Sequence, residues 1–275
     1  MGFSQHDHQG LVFYTAASLS ALPGVSHGFS TRLGGVSQGA WASLNLRSAT
    51  VCGDTQANVE ENYRRLCAAV GADVSRLVLT RQVHSDRIRL ATEADAGKGL
   101  WRQRDYDVDA LITNVEGLPL AVFSADCIII LLCDPVRRSI GAVHAGWRGT
   151  AQSILQKTVR KMERAFGARP EHIRAAIGPG IGPCCFETHD DVPQAMEDAM
   201  GAEAAPFLKR RGGKWTVDLK GLNRRQLELA GLRPEHTDVA PLCTACHPEL
   251  FWSHRKMGDQ RGVQCGLISL GGPRP

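Results

Sequence analysis

The chain has 275 residues, 43% of them hydrophobic and 22% charged, with a formal net charge of +4. That length can bury a sizeable core in one large domain or two small ones, and the composition is that of an ordinary globular protein, so disorder is not the default reading. The positive charge is modest and spread along the sequence, so a nucleic-acid groove is not indicated, while a small anionic substrate is compatible with it.

Residues 1–10 lack a basic stretch followed by an apolar one, so no signal peptide is expected, and His6 stands where a myristoylation site wants Ser or Thr. Residues 11–15 read as a strand, and 33–47 form a Gly/Ser-rich loop. Asp54 is placed to cap a helix that carries Val59, Tyr63, Leu66 and Val70 on one face and stops at Gly71. Strand patterns follow at 77–80, 88–91, 110–113, 120–123, 128–132 and 140–143. The most apolar run, 127–133, is too short to span a bilayer. A helix is expected from near Gly149, with Leu155, Val159, Met162 and Phe166 as its buried stripe. Residues 173–177 are strand-like, 179–183 form a Gly/Pro turn, 191–200 and 219–229 read as helices, and 263–270 as a closing strand. The alternation predicts an α/β or α+β fold, with mixed sheets flanked by helices in a single domain over 1–275.

Nine cysteines are an odd number, and they are scattered in a chain too long to need disulfide staples. The expected setting is a reducing cytoplasm, with thiols free or on metal.

Three segments carry ligand-type residues at strand ends: Gln82-Val83-His84, Ala125-Asp126-Cys127 and Val143-His144-Ala145-Gly146-Trp147-Arg148-Gly149. Cys127 opens one apolar strand and His144 closes the next, a separation that suits two antiparallel strands and a turn. His84 has to come from further away, and no local pattern shows that it does. The residue types admit three readings. One is a buried structural cysteine with two satisfied histidines. Another is a zinc site, in which two imidazoles and a thiolate leave a fourth position for water or substrate. The third is a nucleophilic Cys127 with His144 as its base.

Arg148 stands where a helix is expected to begin, so it could add a bidentate contact to an anion bound there. Arg47 is a second anion candidate. Cys243-Thr244-Ala245-Cys246-His247 matches the C-x-x-C-H pattern of covalent haem attachment, but that attachment belongs to exported proteins, so no haem is expected. A structural metal joining Cys243 and Cys246 to Cys184 or Cys185 is an alternative use of the pair. Residues 178–182 lack G-x-G-x-x-G spacing and read as a tight turn.

At these residues the chain resembles the YfiH-type laccase-domain family, also called peptidoglycan-editing factors or purine nucleoside phosphorylases. The matching segments begin with Gly35-Val36-Ser37, Ser43-Leu44-Asn45-Leu46, Gln82-Val83-His84 and Asp107-Val108-Asp109-Ala110. They continue with Ala125-Asp126-Cys127, 144–149, 177–182, and Cys243-Thr244 followed by Phe251, Ser253 and Arg255. Ser85 departs from the Gly that the family often places after the histidine.

The resemblance implies a mixed α/β fold and a zinc ion held by His84, Cys127 and His144, which are then also the catalytic residues. It implies phosphorolysis of adenosine, inosine, guanosine or methylthioadenosine to free base and ribose 1-phosphate, with adenosine deamination beside it. Deamination wants a carboxylate proton shuttle, for which Asp126 is the candidate, and phosphorolysis wants phosphate clamps, for which Arg148 and Arg47 are the candidates. Peptidoglycan-precursor editing and cysteine-type amide hydrolysis are the alternatives. Copper-dependent phenol oxidation ranks lower, because one His₂Cys set lacks the extra histidines of a multicopper cluster.

Overall fold

Alternation inside the apolar strands sets the architecture. A computed structural model describes residues 2–271. Every residue of Ile128–Asp134 and Ser139–Ala145 is buried, and each strand sends its side chains to two different cores. Ile128, Ile130 and Leu132 pack with Leu155, Val159 and Met162 of helix Ile154–Phe166 and with Leu222 and Leu227 of helix Leu219–Leu229. Their neighbours Ile129, Leu131 and Cys133 face a second sheet, through Phe29, Leu120, Val122 and Ile268. An unbroken apolar run therefore marks a strand covered on both faces.

Two six-stranded sheets stack in this way. One runs in the order Phe3–His8, Leu11–Ala16, Val25–Ser30, Gln264–Leu270, Leu120–Ser124, Val78–Leu79. The other runs Thr237–Val239, Arg174–Ile177, Ile128–Asp134, Ser139–Ala145, Ala110–Thr113, Ile88–Leu90. Both are mixed, each with parallel pairing at an edge. Helix Gln56–Val70 covers the outer face of the first sheet with Val59, Tyr63 and Leu66, which completes an α/β/β/α stack. Gly266 lets the sheets approach, since a Cβ there would lie 2.3 Å from Ile129 Cγ2. A small sheet of Glu187–Thr188, Lys214–Val217 and Leu208–Arg211 lies apart from these two. Among the described residues, no helix is long and apolar enough to cross a membrane.

Two helix expectations are corrected. Thr55, one residue beyond Asp54, caps helix Gln56–Val70 by accepting from Asn58 N–H, while Asp54 ties down the preceding loop through Ser37 and Asn45. Gly71 ends that helix in the left-handed conformation, as expected. The helix expected from Gly149 is two helices, Trp147–Ala151 and Ile154–Phe166, because Ser153 between them is left-handed (φ +57°). Strands Phe3–His8 and Val25–Ser30 had no reading, since neither shows an apolar alternation.

His27 gives the fold a titratable joint. It is buried, and its Nε2 accepts the Ala16 N–H at 2.9 Å. Burial lowers its pKa to about 4, so it is neutral in the fold. A folded pKa below the unfolded value means that stability is lost as pH falls from about 6.5 toward about 4. Between pH 7 and 4.5 the His27 share of that loss is about 2 kcal/mol. His27→Gln keeps an acceptor but does not titrate, so urea unfolding of this variant should show a shallower loss over the window. An identical pH profile would disprove the assignment.

Candidate functional site

The hairpin delivers two of the three expected ligands. Ile128 pairs with Ala145 and Ile129 with His144, so Cys127, one residue before its strand, falls beside the far end of its neighbour. His84 enters from the loop that follows Val78–Leu79 in the other sheet. One ligand atom from each of His84, Cys127 and His144 lies within 4.8 Å of the others. Cys127 Sγ is 3.9 Å from His84 Nε2, and the two imidazoles meet edge to face with centroids 5.0 Å apart. His84 is exposed, Cys127 half-buried and His144 buried, so the cluster opens to solvent beside His84.

Asp109, given no role by sequence reasoning, holds this arrangement together. Its buried carboxylate accepts from the N–H groups of Val83 (3.2 Å), His84 (3.0 Å) and Ser85 (2.8 Å), and from the Ser85 hydroxyl (2.8 Å). It also accepts from His144 Nδ1 at 2.9 Å. Three successive N–H groups wrapped around one carboxylate bend the chain, and His84 takes φ +58° there. The bond to Nδ1 fixes the His144 tautomer and leaves Nε2 for the cluster, the usual role of a carboxylate behind a ligating histidine. The sequence signals for Asp109 were a charged residue directly before the strand Ala110–Thr113 and its place in the matching segment Asp107-Val108-Asp109-Ala110, neither of which gave it a role.

Burial works against ionisation of Asp109, yet the His144 and Ser85 hydrogen bonds prevail and bring its pKa to about 2. For Cys127 burial raises the pKa, but His144 and His84 outweigh it and lower the thiol to about 6. Burial depresses His144, and the Cys127 and Asp109 charges more than offset it, raising the pKa to about 9. The site thus favours a Cys127 thiolate paired with a protonated His144, a proton that a cation bound to the same atoms would displace.

That donor set fits a single zinc ion. Zn–S near 2.3 Å and Zn–N near 2.05 Å place tetrahedral S and N donors about 3.6 Å apart, close to the separation seen here. The space is kept by Gly146, where a Cβ would meet His84 Cδ2 at 3.0 Å and Cys127 Sγ at 3.1 Å. The other cluster of metal-ligand type among the described residues is four cysteines, so no further histidines stand ready for a multicopper centre.

The remaining candidates separate. Arg148 lies inside the short helix Trp147–Ala151, exposed, stacked on Trp147 at 4.3 Å, in a hollow shared with Ala195, Asp198 and Ala199. The helix is only five residues long, so the anion support expected from a helix start is small there. Asp126 (φ +94°) accepts from the Thr244 hydroxyl at 2.6 Å and from Arg255 N–H at 2.7 Å. Both its oxygens are engaged, so it braces the Cys127 loop. Arg47 donates to the carbonyls of Asp259 (3.0 Å) and Arg261 (3.3 Å) and lines a pocket of about 230 Å³ with Tyr63, Gln82 and Phe123. Arg261, which sequence reasoning missed, lies within electrostatic range of Arg47, Asp126 and Cys127; burial, then Arg47, lowers its pKa. Its Nε is buried without a partner.

Residues 26–271 match the family model described as multi-copper polyphenol oxidoreductase laccase. The chain belongs to this family. It is 35% identical over 257 residues to purine nucleoside phosphorylase YlmD of Geobacillus stearothermophilus, covering 91% of each chain. It is 37% identical over 234 residues to purine nucleoside phosphorylase YfiH of Escherichia coli, covering 85% of this chain and 89% of that one. The crystal structure of Bacillus licheniformis hypothetical protein YfiH superposes with a TM-score of 0.89 at 31% identity, covering 97% of this chain and 98% of that one. The mixed α/β family fold is therefore the fold of this chain.

Proposed function

We propose that this chain is a zinc-dependent purine nucleoside phosphorylase acting on adenosine and related nucleosides. The observation that carries the reading is the convergence of His84, Cys127 and His144 on one point, with Asp109 behind them. The names of the relatives support the substrate class. In the reaction a phosphate oxygen bonds to ribose C1′ as the bond from C1′ to the base breaks, giving free purine and ribose 1-phosphate.

His84, Cys127 and His144 would hold the zinc ion, which supplies Lewis acidity at the mouth of the site. Asp109 keeps His144 in the ligating tautomer and holds the 83–85 loop in place. Arg47 and Arg261 form the cationic side of the same region and suit the anionic co-substrate. We rank adenosine deamination behind phosphorolysis, because Asp109 and Asp126 both have their oxygens committed to hydrogen bonds.

Zinc-loaded protein incubated with adenosine should release adenine only when phosphate is supplied. Release of inosine alone, or no turnover of any purine nucleoside, would reject the proposal. Arg261→Ala and Arg47→Ala should each raise the KM for phosphate by about 10–100-fold, as expected for a charge-assisted contact, with a smaller change in kcat. Arg148→Ala should leave that KM within about twofold of the parent. The reverse pattern would return the clamp to Arg148.

A further inference from the structure

Four cysteines that the proposed reaction does not use meet at one point. Cys184 and Cys185 follow the Gly/Pro turn, while Cys243 and Cys246 lie about sixty residues further on. Their sulfurs all lie within 4.8 Å of one another, with Cys184 to Cys246 at 3.5 Å and Cys185 to Cys246 at 3.4 Å. We propose that Cys184, Cys185, Cys243 and Cys246 form a second metal site, a structural tetrathiolate zinc centre.

The geometry suits one tetrahedral ion, and zinc, which has no redox chemistry, suits a structural site. A regular tetrahedron with Zn–S of about 2.3 Å has sulfur–sulfur edges of about 3.8 Å, within the spread of this cluster. An iron–sulfur cluster distributes its four thiolates over separate irons and sets them further apart. Four thiols this close gain nothing from one another: as thiolates they repel, and as thiols they are weak hydrogen-bond partners. A cation resolves both problems.

The surroundings suit a tetrathiolate. Gly182 N–H donates to Cys243 Sγ at 3.1 Å, as backbone donors do for a ligating sulfur. Cys246 N–H returns to the Cys243 carbonyl at 3.2 Å, closing a compact C-x-x-C turn. Lys220, buried, donates to the carbonyls of Ala240 (2.7 Å) and Leu242 (2.9 Å) on the approach to Cys243, and puts a positive charge beside a site whose net charge with Zn²⁺ is −2.

The centre would join two loops that support the catalytic cluster. Thr244, between the paired cysteines, donates to Asp126 next to Cys127, and Arg255 donates to the Cys185 carbonyl at 3.1 Å while its N–H reaches Asp126. The second site does not depend on the nucleoside reading, because metal content and cobalt spectra test it without any turnover.

Protein purified anaerobically, without chelator, should carry two zinc ions per chain by elemental analysis. Cys127→Ala should keep one, and cobalt substituted into that variant should show the intense thiolate charge-transfer and visible ligand-field bands of a tetrahedral S₄ site. Cys246→Ser should also fall from two zinc ions to one, with Tm lowered by about 5 °C or more. If Cys246→Ser does not fold, the Cys127→Ala measurement decides alone. No metal in Cys127→Ala, iron in place of zinc, or a disulfide among these four cysteines in the anaerobic wild-type protein would each overturn the assignment.

Discussion

Cys127→Ala is expected to remove the metal from the His84–His144 site and to lower phosphorolysis by on the order of 10³-fold, since a Lewis acid contributes several kcal/mol to a barrier. The thiolate is the only anionic donor of the three, and the environment already lowers its pKa to about 6. Without it two neutral imidazoles remain, one of them on an exposed loop, and two neutral donors hold a divalent ion weakly. The check is metal content beside steady-state rates. A protein that keeps both metals and full turnover would refute the ligand assignment. Cys127→Ser that retains metal but not activity would instead favour the nucleophile reading.

Asp109→Asn should be the most damaging change outside the three ligands. Two oxygens of Asp109 serve five donors, with His84 N–H and His144 Nδ1 on Oδ1, and Val83 N–H, Ser85 N–H and the Ser85 hydroxyl on Oδ2. Replacing either oxygen with an amide nitrogen leaves at least two donors, buried or part-buried, facing another donor, at about 1–3 kcal/mol each. We expect a stability loss of about 3 kcal/mol or more in urea unfolding. Zinc affinity should also fall about 10–100-fold, because the His144 tautomer and the 83–85 loop are no longer held. Asp109→Glu, with the carboxylate displaced, should recover little of either. Unchanged zinc affinity in a folded Asp109→Asn variant would show that the carboxylate does not position the ligands.

Much of the scaffold was legible because period and burial coincide. Helices Asp191–Met200 and Leu219–Leu229 lie where their patterns place them, and the apolar runs around 130 and 142 are strands covered on both faces. The short separation of Cys127 and His144 is a local fact of one hairpin, so their meeting could be foreseen. His84 joins them across two sheets, and no local signal carries that distance; the resemblance in the segments around it supplied the expectation. The role of Asp109 depends on a loop closing over a strand end, which exists only after the sheets are stacked. Arg148 shows the converse. Its neighbours in sequence looked like a helix start aimed at an anion, but the left-handed Ser153 cuts the helix to five residues and the side chain lies against Trp147 instead. Residue type and spacing along one strand pair foretold that Cys127 and His144 meet. Which carboxylate holds His144, and that four distant cysteines share a second point, were decided by the packing of loops from separate elements, because each of those contacts joins residues with no common period.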